Sequence, residues 1–303
     1  MDLSQLRAFV KIVQARSYTR AADELQTQKG HLSRTISQLE RDLGVKLLER
    51  TTRTLSLTEV GREIFERAVG ILAAVDETEN LAQQVHGEPR GVLRMTCGTE
   101  FGMLAVSGWI NGYLERYPDV SVDADFTSRV IDVVHEGFDL AIRLGPLQES
   151  RLAARQIGKL SYGLYAAPAY VDRHGLPGDV DALPNHALLL FSTGSHRSGW
   201  RLRRNDREVR IDSPARLRVN NIFAVRNAAM AALGIAQLPT IVAAVAESAG
   251  KLIRVLREWE PEQVPVHAVF ASSRYLTPKV RRFIDHAIAN FPTAINDVAP
   301  TSA

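Results

Sequence analysis

The sequence of 303 residues is long enough for about two domains, and its 45% hydrophobic and 23% charged residues exclude a fibrous, collagen-like or structureless chain. No run of about 18 uncharged apolar residues occurs, so no membrane-spanning helix is expected, and the opening segment lacks the pattern of a signal peptide. The net charge is +3, and the single cysteine, Cys97, excludes an internal disulfide and a cysteine zinc cluster, so a cytoplasmic location is expected.

The charge is unevenly distributed along the chain. Residues 1–58 hold ten basic and six acidic residues, residues 59–88 hold two basic and seven acidic residues, and the long remainder is nearly neutral. This pattern predicts a basic head, an acidic connector and a larger body. A basic head is a candidate for contact with a polyanion, although the surfaces of ordinary proteins also vary by this much.

The head has the pattern of a winged helix-turn-helix. Apolar residues at helical spacing predict a first helix from Leu3 to Val13, a second capped by Ser17, and a third with Leu32, Ile36 and Leu39 facing inward. The outward face of the third helix is polar and basic, as in a helix that enters the major groove of DNA. The alternative is a three-helix bundle whose arginines serve solubility only.

A short hairpin is predicted after the third helix, which Gly44 ends. Strands over residues 45–48 and 54–57 flank a turn at residues 50–53, and cations in the turn of such a wing can contact phosphate or the minor groove. The residues predicted to contact DNA are Thr27, Gln28, Lys29, Gly30, His31, Ser33, Arg34, Ser37, Arg50, Thr52 and Arg53.

Residues 59–88 are predicted to form a linker helix capped by Thr58. Apolar residues repeat at intervals of four and three, as in a heptad seam, at Ile64, Ala68, Ile71, Val75, Thr78, Ala82 and Val85. A second apolar stripe runs through Phe65, Val69 and Leu72. One helix cannot bury both stripes alone, which favours pairing with a second copy, the alternative being packing against the chain's own body. Residues Gly87–Gly91 then predict a hinge.

The body alternates strand-like and helix-like segments, including a predicted helix over residues 130–136, and this alternation implies a largely parallel α/β sheet. Ligands bind beyond the carboxyl ends of such strands, where helix N-termini offer free N–H groups to anions. The residues predicted to bind an effector there are Thr99, Glu100, Phe101, Thr127, Ser128, Asn220, Asn221 and Ile222. The alternative is that these residues are ordinary helix caps.

No catalytic or metal-binding pattern occurs in the sequence. A phosphate-binding loop, a nucleophile elbow and an HExxH pair are absent, and no histidine has metal-ligand spacing, so no catalytic residue, metal or cofactor is predicted. Arginines are frequent between Arg197 and Arg218, and several alternate with apolar residues. This alternation suits a solvated hairpin face, while contact with an anionic effector or partner is the alternative.

The chain resembles a LysR-type transcriptional regulator over essentially its whole length. The matching segments are Leu6-x-x-Phe9, Ala21-Ala22-x-x-Leu25, Leu32-Ser33-Arg34-x-Ile36-x-x-Leu39-Glu40, Leu43-Gly44, Arg50-Thr51-Thr52-Arg53, Leu57-Thr58-Glu59-x-Gly61, Arg116-Tyr117-Pro118, Glu136-Gly137-Phe138-Asp139-Leu140-Ala141-Ile142-Arg143 and Gly234-Ile235-Ala236-x-Leu238-Pro239. Together these motifs are highly specific, although each alone is weak.

The resemblance implies an α+β multi-domain protein: a winged helix-turn-helix over residues 1–58, a linker helix over 59–88 and an effector domain of the periplasmic-binding-protein type over 89–303. Two crossings would divide that domain into lobe I, residues 89–161 plus 268–303, and lobe II, residues 162–267. It also implies a homotetramer, as a dimer of dimers, that binds operator DNA and a small effector, which the helix N-termini suggest is an organic anion. Contact with RNA polymerase stays open.

One segment departs from the family pattern. A serine-containing run usually precedes the recognition helix, but this chain has Gln28-Lys29-Gly30-His31, so Thr27 is expected to cap the helix instead. Two other classes compete with a regulator: a solute-binding protein, which the body alone would suit, and an enzyme on an α/β fold. The basic head argues against the first, and the missing catalytic set argues against the second.

Overall fold

The computed structural model describes residues 1–50, 55–84, 88–129, 131–134, 136–147, 152–192, 199–271 and 276–291. Its elements in chain order are α1 Leu3–Ala15, α2 Tyr18–Glu24, α3 Lys29–Leu43, β1 Leu48–Arg50, β2 Leu55–Leu57, α4 Glu59–Gln84, β3 Gly91–Cys97, α5 Thr99–Phe101, α6 Ser107–Arg116, β4 Val120–Phe126, β5 Leu140–Leu144, β6 Leu152–Leu160, β7 Tyr162–Ala166, α7 Pro168–His174, β8 Leu188–Phe191, β9 Trp200–Arg204, β10 Arg207–Ile211, β11 Ala215–Val219, α8 Ile222–Met230, β12 Ile235–Pro239, α9 Thr240–Ser248, β13 Ile253–Val255, β14 Glu260–Pro261, β15 Val264–Ala271 and α10 Pro278–Ala289. A π-helical stretch, Gly102–Val106, joins α5 to α6.

The three predicted head helices are confirmed, and local chemistry sets their ends. Asp2 and Gln5 form a capping box at the start of α1, and the Ser17 hydroxyl accepts a hydrogen bond from the Arg20 N–H at the start of α2. Gly44 ends α3 with a φ of 69°, a left-handed conformation that glycine adopts without strain. The inward faces form one core, whose fully buried members include Leu6, Phe9, Ile12, Ala21, Leu32, Ile36 and Leu39.

The wing is a two-stranded antiparallel hairpin in which Leu48 pairs with Leu57. The predicted start of its first strand, residue 45, is wrong by three residues. The backbone N–H of Leu47 donates to the Glu40 carboxylate at 2.9 Å rather than to a strand, and only the Leu47 carbonyl, which accepts from the Thr58 N–H at 3.0 Å, extends the pairing beyond Leu48. The predicted turn residues Thr52 and Arg53 lie outside the described residues.

The linker helix α4 is confirmed, but its second apolar stripe packs inside the chain. Phe65, Ala68 and Leu72 are buried against the head core, and the rings of Phe9 and Phe65 meet edge to face with centroids 6.2 Å apart. Ile71 is 43% exposed. The expectation that both stripes need a partner is therefore wrong for the first half of α4, since the head buries Phe65 and Leu72 of the second stripe and Ala68 of the first. Val85 lies outside the described residues, as do the side chains of Thr78 and Ala82.

Lobe I is a mixed sheet in the order β4-β3-β5-β15-β6. Strand β3 is parallel to β4 and β5, whereas β15 is antiparallel to β5 and β6, so the largely parallel sheet predicted from the sequence is only partly correct. The antiparallel pair arises because β6 carries the chain towards lobe II and β15 carries it back. Helices α6 and α10 contribute Trp109, Tyr113 and Phe283 to the core on one face of this sheet.

Lobe II has a second mixed sheet, in the order β11-β8-β12-β7-β13, and a smaller sheet, in the order β10-β9-β14. Helices α8 and α9 cover one face of the larger sheet with Val225, Ala229 and Ala243. Trp200 and Trp259 belong to the cluster on its other face, beside the smaller sheet. Strand β11 lies at the edge of the larger sheet, next to β8.

Two features of the body differ from expectation. The described residues between 131 and 136 form irregular structure and turns rather than the predicted helix, because Ile131 and Val133 are both buried and a helix does not place residues two positions apart on one face. The returning strand β15 begins at Val264, four residues before the predicted lobe boundary at residue 268, and pairs there with Leu160.

Candidate nucleic-acid interface and effector cleft

The outward face of α3 is a continuous polar surface. Lys29, Gly30, His31, Arg34 and Ser37 are all exposed, while the opposite face of the same helix lies in the head core. The hydroxyl of Ser37 donates to the Ser33 carbonyl at 3.0 Å, and the Arg34 Nε donates to the Gly30 carbonyl at 3.4 Å. The guanidinium of Arg34 therefore keeps donors free for an external acceptor.

The start of α3 differs from expectation. Gln28 is the N-cap residue, without a side-chain cap hydrogen bond, and the predicted cap by Thr27 is wrong. The Thr27 N–H instead continues the turn after α2 by donating to the Ala22 carbonyl at 2.9 Å. The N–H groups of Lys29 and Gly30, at exposed positions in the first turn of α3, are therefore not covered by a side-chain cap, as in helix N-termini that bind phosphate.

Glu40 ties the recognition helix to the wing, a role that the sequence pattern does not reveal. Its side chain is 9% exposed, and it accepts hydrogen bonds from Lys46 Nζ at 2.7 Å and from the N–H groups of Leu47 and Leu48 at 2.9 and 3.3 Å. Burial opposes ionisation, but these hydrogen bonds outweigh it and lower the pKa of Glu40. The sequence feature that could have indicated this role is an acidic residue directly after Leu39, at the edge of the inward face of α3.

Thr58 and Gly61 join the head to the linker helix. The Thr58 hydroxyl donates to the Lys46 carbonyl at 2.7 Å and accepts from the Gly61 N–H at 2.8 Å, so the predicted cap is confirmed. Gly61 is buried directly against the Leu47 backbone. The orientation of α4 relative to the wing is therefore fixed by backbone contacts.

The structure brings together two of the three predicted effector loops. The Thr99 hydroxyl donates to the Phe126 carbonyl at 3.2 Å, and the Thr127 N–H donates to the Cys97 carbonyl at 2.9 Å, so the loops after β3 and β4 lie side by side. Glu100 is half-buried beside them, and Ser128 is exposed.

Phe101 is a correction to the predicted effector residues. Its ring is buried in the core of lobe I and meets Trp109 edge to face at 5.7 Å, so it is not available to a ligand. The sequence shows that Phe101 follows Glu100, but it does not show that the Phe101 ring points into the core. The neighbouring Cys97 thiol is also buried, and burial raises its pKa to about 12.

The third predicted loop belongs to lobe II and reaches lobe I through apolar side chains. Ile222 and Phe223, at the start of α8, pack against the core of lobe I, as does Tyr162, whose pKa burial raises to about 12. The Asn221 side chain accepts a hydrogen bond from the Ala224 N–H at 3.0 Å and caps α8. This agrees with the alternative interpretation of Asn221 as an ordinary helix cap. Asn220 is exposed.

The arginine-rich segment forms mainly a solvated hairpin. Strands β9 and β10 pair antiparallel, and most of their arginines are exposed. The guanidinium groups of Arg204 and Arg207 lie over the Trp259 ring, 5.0 and 5.4 Å from its centroid. The Nε1 of Trp259 donates a hydrogen bond to the Asp179 carboxylate at 2.7 Å. Together these contacts hold the smaller sheet against lobe II.

The described part of the chain contains no group of three or more His, Cys, Asp or Glu side chains placed to hold a metal ion. None of its helices is long and apolar enough to cross a membrane.

Comparison with known proteins identifies the class. Residues 3–62 match the bacterial regulatory helix-turn-helix protein of the LysR family, and residues 86–292 match the LysR substrate binding domain. The chain therefore belongs to the LysR family and is a DNA-binding transcriptional regulator with an effector-binding domain.

Relatives of this class cover nearly the whole chain. An HTH-type transcriptional regulator of Haemophilus influenzae is 31% identical and aligns with 92% of this chain and 96% of its own length. The regulator CrgA of Neisseria meningitidis serogroup C is 32% identical over 94% of this chain and 95% of its own length. The solved structure of Neisseria meningitidis CrgA is 28% identical, with a TM-score of 0.59, and covers 95% of this chain and 98% of its own. The full-length structure of the Vibrio cholerae virulence activator AphB is 27% identical, with a TM-score of 0.58, and covers 95% of this chain and 99% of its own.

Proposed function

We propose that this protein binds its operator through the exposed face of α3 and the wing, and that a small organic anion between the two lobes switches this binding. The observation that carries the proposal is the division of α3 into a core face and an uninterrupted polar and basic face. The protein acts on transcription and catalyses no reaction.

The proposed division of the chain is a head over residues 1–58, a linker helix over 59–88 and an effector domain over 89–303. In the head, Lys29, His31 and Arg34 read base edges, while Thr27, Gln28, Gly30, Ser33 and Ser37 bring the helix to the backbone. Arg50, Thr52 and Arg53 contact phosphate or the minor groove from the wing. The roles of the α3 residues follow from their positions on that helix, and those of Arg50, Thr52 and Arg53 follow from the turn that the sequence predicts for the wing.

The functional unit is a homotetramer built as a dimer of dimers. Ile71 supports this assembly, because it projects from α4 with 43% of its surface exposed although the seam around it is apolar. The head buries Phe65, Ala68 and Leu72, whereas Ile71, farther along the seam, is left for a second copy. Pairing of two linker helices would place two heads on one operator.

The effector lies between Thr99, Glu100, Thr127 and Ser128 of lobe I and Asn220, Asn221 and Ile222 of lobe II. Helix N-termini and hydroxyl groups favour an anion at this place. The packing of Ile222 and Phe223 on lobe I supports the switch, because a ligand beside them changes how the lobes close. Closure then reaches the heads through the segment around Gly91 and the linker helices.

The test is the double variant Thr99→Val with Ser128→Ala, which removes two hydroxyls with little change in volume. A thermal-shift screen of small carboxylic acids first identifies compounds that bind the unaltered protein. Of these, the compound that changes its operator affinity most is used in the test. A coupling of about 1–3 kcal/mol, about 5–150-fold in affinity, is typical of such switches. We expect the variant to keep its oligomeric state and operator affinity and to lose this response.

Ser121→Ala is the matched control, since Ser121 is exposed on β4 at the end away from the Thr127 loop. It should respond as the unaltered protein does. A normal response of the double variant would place the effector elsewhere. Loss of operator binding without any compound would show instead that the hydroxyls are needed for folding.

A further inference from the structure

A cavity of about 660 Å³ lies in lobe II, between the end of β10 and the neighbouring strands β8 and β11. Its volume lies within the range of about 300–1,000 Å³ that is usual for pockets that bind small molecules. None of the residues proposed above for the effector lines it. It is therefore separate from the loops that follow β3 and β4.

Among the described residues that line the cavity, the charged side chains leave one positive charge uncompensated. Arg210 Nε and Asp212 Oδ2 are 2.7 Å apart, so these two charges neutralise each other. Arg218 also lines the cavity, and among the residues that the structure describes it has neither a hydrogen-bond acceptor nor an acidic partner. The nearby Arg216, two residues earlier on β11, is already engaged, because its Nη1 donates to the Leu233 carbonyl at 2.9 Å.

The remaining wall combines apolar side chains with one hydroxyl. Leu190 lies opposite Arg218 in the pairing of β8 with β11, so the two side chains project from the same face of the sheet. Pro214 and Ala215 continue the apolar surface, and Ser213 supplies a hydroxyl beside it. A guanidinium matches a carboxylate with two parallel hydrogen bonds, while an apolar wall accommodates a hydrocarbon body.

We propose that this cavity binds a small monoanionic organic acid. Its carboxylate is held by Arg218 and Ser213, and its aliphatic or aromatic body lies against Leu190, Pro214 and Ala215. The net charge of the described lining residues matches one negative charge. The apolar wall disfavours inorganic phosphate, which has no hydrocarbon to bury. The arginine-rich segment thus combines a solvated hairpin, β9–β10, with one arginine on β11 that serves a ligand.

The experiment titrates the full-length protein with benzoate by isothermal titration calorimetry. Its neutral isostere benzamide, hexanoate and inorganic phosphate are the comparison probes. We expect saturable binding of benzoate or hexanoate, and at least tenfold weaker binding of benzamide and of phosphate. Arg218→Gln should weaken acid binding at least tenfold. Arg216→Gln, which removes the same charge two residues away on the same strand, should leave it within twofold.

The variant Thr99→Val with Ser128→Ala separates this cavity from the site between the lobes, and it should retain the saturable acid binding that Arg218→Gln weakens. Loss of binding in that variant, with binding retained in Arg218→Gln, would assign the acid to the interlobe site and overturn the proposal. Equal binding of phosphate, or no saturable binding of either acid, would also overturn it. Failure of the effector test above leaves this prediction intact, since the two sites share no residue.

Discussion

Gly61→Ala is expected to destabilise the head by about 3 kcal/mol and to abolish operator binding with it. A Cβ at this position would overlap the Leu47 carbonyl oxygen and lie 2.9 Å from both the Leu47 carbonyl carbon and the Thr58 hydroxyl. These are backbone and capping groups, which cannot move without breaking the junction between the wing and α4. Differential scanning calorimetry of the full-length protein should show the transition of the head at a lower temperature.

Gly70→Ala on the same helix is the matched control. A Cβ there meets no atom within 4 Å, so alanine should stabilise the helix by about 0.5–1 kcal/mol through its better propensity. The pair therefore separates a steric effect at the junction from the general effect of alanine in α4. A Gly61→Ala protein that melts and binds DNA like the unaltered one would show that the junction is not tightly packed.

Arg34→Ala is expected to weaken operator binding by about 1–3 kcal/mol for each head that contacts DNA. Arg34 is exposed on the outward face of α3, and its only hydrogen bond among the described residues is the long one to the Gly30 carbonyl. Removal of the Arg34 side chain should leave the fold intact, because the buried residues Leu32 and Ile36 pack this helix against the head core. Fluorescence anisotropy with the chain's own upstream region measures the loss.

The control for Arg34 is Arg155→Ala, which removes the same charge from lobe I, where Arg155 is paired with Asp285 at 2.8 Å. Its operator affinity should stay within twofold. An equal loss in both variants would mean that net charge, rather than the face of α3, governs binding. Unchanged affinity in Arg34→Ala would remove this residue from the interface.

Much of the fold could be predicted because short-range patterns determine it. The spacing of Leu32, Ile36 and Leu39 predicts both the existence of α3 and the face that it buries, and Ser17 and Thr58 cap the helices that follow them. These features depend on helical geometry and on hydrogen bonds between residues a few positions apart. Tertiary contacts do not oppose them, so the predictions were confirmed.

The errors arose where contacts between distant residues decide the outcome. The spacing of Phe65 and Leu72 shows an apolar stripe, but it does not show that α1 rather than a second copy covers it. The segment at 131–136 has helical spacing, but its described residues form no helix, because Ile131 and Val133 are both buried and residues two positions apart do not share a helix face. Phe101 could be assigned to a ligand or to the core from sequence alone, and only the packing on Trp109 decides between them.

The most direct test of the proposed DNA interface is a salt titration of the full-length protein on its own upstream region. A regulator whose paired heads make about 6–10 phosphate contacts should lose about 10³–10⁵ in affinity between about 50 and 200 mM salt. At each salt concentration it should bind the upstream region more tightly than unrelated DNA of the same length. A flat salt response, or equal affinity for both DNAs, would contradict sequence-specific binding through α3 and the wing.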